Sequence, residues 1–135
     1  MKPLPRRKFI GQAAAVVGAG ILTTSFKTNS VMADKTFIHH VYFWLKNPGS
    51  AEDTEKLVAG LRKLSAVKTI QSFHIGKPAD TNREVIDRSY AVSWCLFFKN
   101  ASDQASYQTD PIHLKFIEEC SPLWNKVIVY DSIDI

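Results

Sequence analysis

Hydrophobic and polar positions alternate in kind along the chain from residue 36 onward, and each change of pattern marks an element. Residues 36–46 are rich in aromatic and β-branched types without Gly or Pro, which predicts a strand. Asn47-Pro48-Gly49-Ser50 is a turn cluster. Ser50 is placed to cap a helix whose first turn carries Glu52, Asp53 and Glu55, favourable at the positive end of a helix dipole. Leu57, Leu61 and Leu64, with Val58, give that helix one apolar face. Residues 67–75 predict a second strand, stopped by Gly76-Lys77-Pro78, and residues 79–87 are a polar loop. A third strand follows over residues 89–99 and a short helix over 101–109. Asp110-Pro111 then breaks the helix, because the residue before proline is pushed out of the helical region. Pro111 suits the first turn of a new helix, predicted to run to Trp124 with Ile112, Phe116 and Ile117 as its buried stripe. Residues 126–133 read as a closing strand.

Strand-helix-strand twice over predicts an α+β fold, a ferredoxin-like βαββαβ sandwich with an antiparallel sheet and the helices on one face. The strands are apolar on both parities. Phe37, Val41, Phe43 and Leu45 share one face of the first strand, and Ile38, Tyr42 and Trp44 the other. The third strand sets Val92, Trp94, Leu96 and Phe98 against Ala91, Cys95 and Phe97. Helices cover only one face, so the other needs a second cover, and a second copy of the same sheet supplies it. The expectation is a homodimer whose sheets close into a dimeric α+β barrel.

Composition changes this picture only at the N-terminus. The formal charge of +4 and pI of 9.1 suggest nucleic-acid binding until the charge is located. Lys2, Arg6, Arg7, Lys8 and Lys27 precede residue 34 and no acid does, leaving 12 of the 17 basic residues against all 13 acids, a net of −1. Residues 34–135 have no basic run to track phosphates, so no nucleic-acid partner is expected. Arg6-Arg7-Lys8-Phe9-Ile10, an Ala/Gly-rich apolar core over residues 12–22 and Val31-Met32-Ala33 form n-region, h-region and cleavage site in order. The segment resembles a twin-arginine export signal cleaved after Ala33, and its apolar core is too short and too rich in Gly and Ala to span a bilayer. The expectation is a signal peptide over residues 1–33, a mature domain over residues 34–135, periplasmic or otherwise exported, with no stable membrane anchoring after cleavage.

Ile38-His39-His40-Val41-Tyr42-Phe43-Trp44-Leu45-Lys46, the stop at His74-Ile75-Gly76-Lys77-Pro78, and Tyr107 through His113 to Tyr130-Asp131 together resemble the stress-responsive dimeric α/β-barrel (Dabb) domain family. The resemblance spans nearly all of residues 34–135 and implies a ferredoxin-like protomer pairing into a barrel. A plant branch of that family cyclises polyketides. By that likeness, His113 in the P-x-H bend acts with Tyr107, six residues earlier, and His40 lies in the same pocket between sheet and helices. Trp94, Leu61 and Phe116 are the expected pocket lining. The branch's helical aromatic residues are missing here, where the first helix offers Leu57, Val58, Leu61 and Leu64, and Trp94 narrows the space. Polyketide cyclisation is therefore not expected, and a smaller carbonyl or phenolic ligand is.

A histidine titrating near neutrality is a natural general acid or base, and a phenol steadies a developing oxyanion. The competing role for His113 is to brace the Asp110-Pro111 bend, and for Tyr107 to fill the core. His39 and His40 are neighbours on a strand and point to opposite faces, so they do not chelate one ion together. A metal site would need His40, His74 or His113 to converge, and neither a metal nor a cofactor is expected. Haem-handling proteins also use dimeric barrels, and on that fold-level analogy His113 is the axial candidate. Cys95 and Cys120, the two cysteines, are expected as buried thiols. Two classes of function stand: a small-ligand barrel with weak cyclase- or lyase-like acid/base chemistry, and a non-catalytic envelope homodimer.

Overall fold

The computed structural model describes residues 34–135, and the export signal with Arg6, Arg7 and the cleavage after Ala33 lies outside the described residues. The elements run β1 (Phe37–Leu45), α1 (Ala51–Leu64), β2 (Ile70–Gly76), β3 (Val92–Phe98), α2 (Ala101–Thr109), α3 (Pro111–Cys120), a 3₁₀ turn (Ser121–Leu123) and β4 (Trp124–Ile133). The four strands form one antiparallel sheet in the order β2-β3-β1-β4. This is the ferredoxin-like α+β fold, with the two central strands drawn from opposite halves of the sequence.

The local devices anticipated from the residues are present. Gly49 adopts φ +79°, a backbone conformation that glycine alone takes freely, and turns the chain from β1 into α1. Ser50 Oγ accepts from the Asp53 amide at 3.1 Å and caps α1. Asn100 caps α2 through the Asp103 amide at 2.8 Å. Asp110 ends α2 and also caps α3, its carboxylate accepting from the Ile112 amide at 2.8 Å. One residue therefore both breaks and restarts the helical path, with Pro111 where its missing N–H costs nothing.

Strand parity places the core. Val41, Phe43 and Leu45 of β1 and Val92, Trp94, Leu96 and Phe98 of β3 face the helices and meet Leu57, Leu61, Leu64, Tyr107 and Phe116. The other parity forms an outer face: Ile38, His40, Tyr42, Trp44, Cys95 and Phe97 are only half-buried there. Phe73 of β2 faces the helix side, 5.3 Å from the Trp94 ring.

Two expectations change. α3 ends at Cys120 rather than Trp124, because Ser121-Pro122-Leu123 tightens into a 3₁₀ turn and Trp124 opens β4. Within α3, Phe116 and Cys120 are the buried residues, whereas Ile112 and Ile117 are 38% and 40% exposed. The helix leans on α1 with its Phe116–Cys120 edge, where Gly60 of α1 leaves room for the Cys120 sulfur. Cys120 is thus on the helix side and Cys95 on the outer face, and both are free thiols.

Candidate active site

The bend at Asp110-Pro111 swings α3 back across the end of α2, which lays His113 against Tyr107 with ring centroids 4.6 Å apart. Tyr107 sits in the last turn of α2 and is 1% exposed. Its hydroxyl accepts from Trp94 Nε1 at 3.2 Å, so its own proton remains free to be donated. Burial pushes the phenol pKa up to about 12, against a smaller lowering by the Trp94 hydrogen bond. Tyr107 is therefore a neutral hydrogen-bond donor over the whole physiological range.

His113 Nδ1–H donates to the Gln108 carbonyl at 3.0 Å. That carbonyl belongs to the last turn of α2, where helical acceptors lack backbone partners. The ring thus braces the bend with one nitrogen and keeps Nε2 as the nitrogen able to take a proton. Burial lowers the His113 pKa below 6.5, with the hydrogen bond to Gln108 opposing the shift, His39 adding to it and Asp110 opposing it. At neutral pH it is an uncharged base.

The third member is His39 and not His40. His39 shares the parity of Val41 and Phe43, is 6% exposed and meets Tyr107 edge-on with centroids 5.8 Å apart. Its Nδ1–H donates to Asp131 Oδ1 at 2.6 Å, because His39 and Asp131 are register partners on β1 and β4. That carboxylate fixes the tautomer and leaves Nε2 as the free nitrogen. His40 points to the outer face, stacks on Tyr42 at 4.3 Å and is hydrogen-bonded through Nδ1 to the Tyr42 hydroxyl at 3.1 Å. A strand's side chains alternate faces, so no adjustment of β1 brings both histidines to Tyr107. The sequence pattern already held this signal, since His39 has the parity of the more apolar set, but nothing in it said which set the helices cover.

His39, Tyr107 and His113 line a partly open cavity of about 190 Å³, together with Trp94, Phe116 and Trp124. Trp94 and Phe116 stand in the lining as expected. Leu61 does not: it is fully buried in the core beneath α1, away from the cavity. The cavity opens along β4, where Val127 and Val129 are 36% and 43% exposed because no helix covers that strand. His40 and His74 lie on the outer face, on either side of Cys95, and His113 on the helix side, so these histidines do not converge. Among the described residues no group of three His, Cys, Asp or Glu side chains is placed to hold a metal ion. The cavity is smaller than the roughly 300–1,000 Å³ of sites enclosing drug-sized ligands.

Solved structures share this architecture. A Dabb-family protein with a ferredoxin-like fold from Mesorhizobium loti superposes with a TM-score of 0.63 at 20% identity, over 76% of this chain and 99% of its own. A dimeric ferredoxin-like protein of unknown function from Thermobifida fusca gives 0.61 at 14% identity, over 74% and 92%. A hydroxynitrile lyase from Passiflora edulis gives 0.62 at 20% identity, over 75% and 94%. No curated protein matches. The profile of the stress responsive A/B barrel domain matches residues 37–134, which is nearly every described residue and includes His39, Tyr107, His113 and Asp131. The chain belongs to the stress-responsive A/B barrel (Dabb) family.

Proposed function

We propose that the protein is an exported homodimer that binds a small carbonyl or phenolic compound in the cavity beside His113 and moves a proton on it. The observation that carries this reading is the set of three groups around one cavity: two imidazoles, each tied through Nδ1 and free at Nε2, and a neutral phenol between them. In the proposed step His113 Nε2 takes a proton from a ligand hydroxyl or an acidic C–H. The Tyr107 O–H donates a hydrogen bond to the oxygen on which charge develops, His113 returns the proton it took to the leaving group or carbon, and His39, oriented by Asp131, faces the same cavity and helps hold the ligand. An apolar cavity of ~150 Å³ accommodates benzene, so about 190 Å³ suits one ring or a short carbonyl compound and not a polyketide chain. The fold shared with a hydroxynitrile lyase supports a lyase-like version, in which an aromatic cyanohydrin loses its O–H proton, its C–CN bond breaks, and cyanide is released as the acid.

The test is turnover of an aromatic cyanohydrin, with thermal unfolding in the presence of benzaldehyde and phenol. A general base contributes on the order of 10²–10⁴ in rate, so His113→Ala costs that much while Tyr107→Phe weakens the response to both ligands. A second reading, a non-catalytic envelope dimer, is favoured by the burial of Tyr107 and its hydrogen bond to Trp94. It is upheld if both variants unfold far more easily than wild type and no ligand shifts wild-type unfolding.

Dimerisation is supported by the half-buried apolar outer face and by the description of the Thermobifida fusca protein as dimeric. Sedimentation at micromolar concentration is expected to give twice the protomer mass. Export is supported by Arg6-Arg7 and Val31-Met32-Ala33. Replacing both arginines with lysine is expected to leave uncleaved precursor in the cytoplasm, and mature protein beginning at Asp34 outside it overturns the twin-arginine route.

A further inference from the structure

The outer face of the sheet, which lies against a second copy in the proposed homodimer, carries two of the chain's four histidines in one row. His40 of β1 and His74 of β2 are both register partners of Cys95 on β3, one on either side, and the row continues from His40 to Tyr130 on β4. Partners on adjacent strands point to the same face. Two strand spacings, roughly 10 Å, separate the two imidazoles. Tyr42 stacks on the His40 ring and hydrogen-bonds its Nδ1, and Tyr90, from the loop before β3, meets Tyr42 edge-on.

This row has nothing to neutralise an imidazolium. Burial raises the Cys95 thiol and the Tyr42 phenol above their usual values, so neither supplies a negative charge near neutrality. On the outer parity of the four strands there is no Asp or Glu, and the one charged side chain is Lys126, a cation, at the Trp44 end. The carboxylate near that end, Asp87 of the loop, is engaged by Ser89 and acts on Lys126. Already in one protomer burial holds His40 below its ordinary 6.5, with His74 and His39 adding to the lowering. A two-fold interface sets the same patch on both copies, so the partner's strands bring the same row and no acid. Removing water from an imidazole disfavours its charged form. We propose that His40 and His74 make association of the two copies pH-dependent: neutral, they sit between the two sheets, and protonated, they put two cations from each copy there without a counter-charge and drive the copies apart. The inference rests on the homodimer reading. It is independent of the chemistry beside His113, which lies on the other side of the sheet.

The sign follows from proton linkage. The separated protomers bind more protons than the dimer, so association is full well above pH 6.5, the ordinary histidine value, and weakens as pH falls below it. Each proton taken up changes the dissociation constant by up to about tenfold per pH unit. Sedimentation equilibrium at pH 7.5, 6.5 and 5.5 is expected to show a dissociation constant at least about tenfold higher at the lowest pH, with circular dichroism reporting a folded protomer throughout. The double variant His40→Gln/His74→Gln keeps polar side chains and removes both titrations, and is expected to associate equally at all three values. His113→Gln is expected to keep the wild-type dependence. Dilution calorimetry of the wild type at pH 6.0, in two buffers of different ionisation enthalpy, checks the link without substitution, and proton uptake on dissociation is expected. A dissociation constant that does not change by pH 5.5, the same dependence in the double variant, or dissociation without proton uptake overturns the proposal and leaves the homodimer standing. A wild-type protomer at pH 7.5 overturns the homodimer reading and the proposal with it.

Discussion

Single hydrogen bonds decide which nitrogen of each histidine is available. Because burial holds His113 below its ordinary pKa of 6.5, its neutral form is the folded state's form at pH 7. Any activity that uses it as a base is expected to rise with pH through that depressed value and level off by about pH 6.5. Tyr107 keeps its proton to about pH 12, so no alkaline loss from the phenol intervenes below that. A pH–rate profile checks both limbs. The same shift bears on stability. Between the folded pKa and 6.5 the unfolded chain binds more protons at this residue than the folded one, so stability rises with pH there. The contribution is complete above 6.5 and is lost as pH falls through the folded value. Denaturation of wild type and His113→Gln across this window is expected to show a steeper slope in wild type, the variant keeping only the part that His40 contributes, since burial lowers its pKa as well. Asp131→Ala tests the other imidazole. Its carboxylate is 44% exposed, so little stability is expected to change, about 0–1 kcal/mol, while activity falls because the His39 ring is no longer held. A large loss of stability with unchanged turnover sinks that reading of the pair.

Among the elements, α3 carries most of the site, and two contacts set its pose. Asp110 caps it, and Asp110→Ala is expected to cost about 1 kcal/mol. Gly60 lets it approach α1: a Cβ there collides with the Cys120 sulfur and comes within 3.3 Å of the Phe116 ring. Gly60→Ala gains about 1 kcal/mol of helix propensity but overpacks the α1–α3 contact, which costs about 1–3 kcal/mol. The net expectation is destabilisation, with recovery in the double variant Gly60→Ala/Cys120→Ala, where the colliding sulfur is gone. Chemical denaturation of the two variants decides the matter. Cys120 is neither a disulfide partner nor a nucleophile in this picture: burial raises its thiol pKa, and its place is against the glycine.

For the whole molecule the outer face of the sheet is the open question, because its apolar residues are left without a cover by the helices. Ile38→Asp and Phe97→Asp lie on that face and are paired across β1 and β3. Either is expected to yield a folded protomer with weakened association, read by sedimentation beside circular dichroism. Phe43→Asp is a different experiment. Phe43 is 3% exposed between sheet and helices, so a charge there is expected to abolish folding itself. If the outer-face variants stay dimeric, the association uses another surface and the barrel arrangement fails.

The order and kind of the elements, the caps at Ser50 and Asp110, and the presence of two apolar strand faces followed from local pattern, because helix period, strand alternation and turn chemistry are properties of neighbours in sequence. The Tyr107–His113 pairing was equally local: six residues across a proline bend place both side chains at one corner. What only the tertiary structure decided was sidedness and depth. Parity said that His39 and His40 diverge, but which of them meets Tyr107 depends on which face the helices cover, a contact between segments some 70 residues apart. Asp131 became part of the site only through β1–β4 register, across 92 residues. Leu61 and Ile112 carried the right period for their helices, and packing alone sent Leu61 to the core and left Ile112 at the surface.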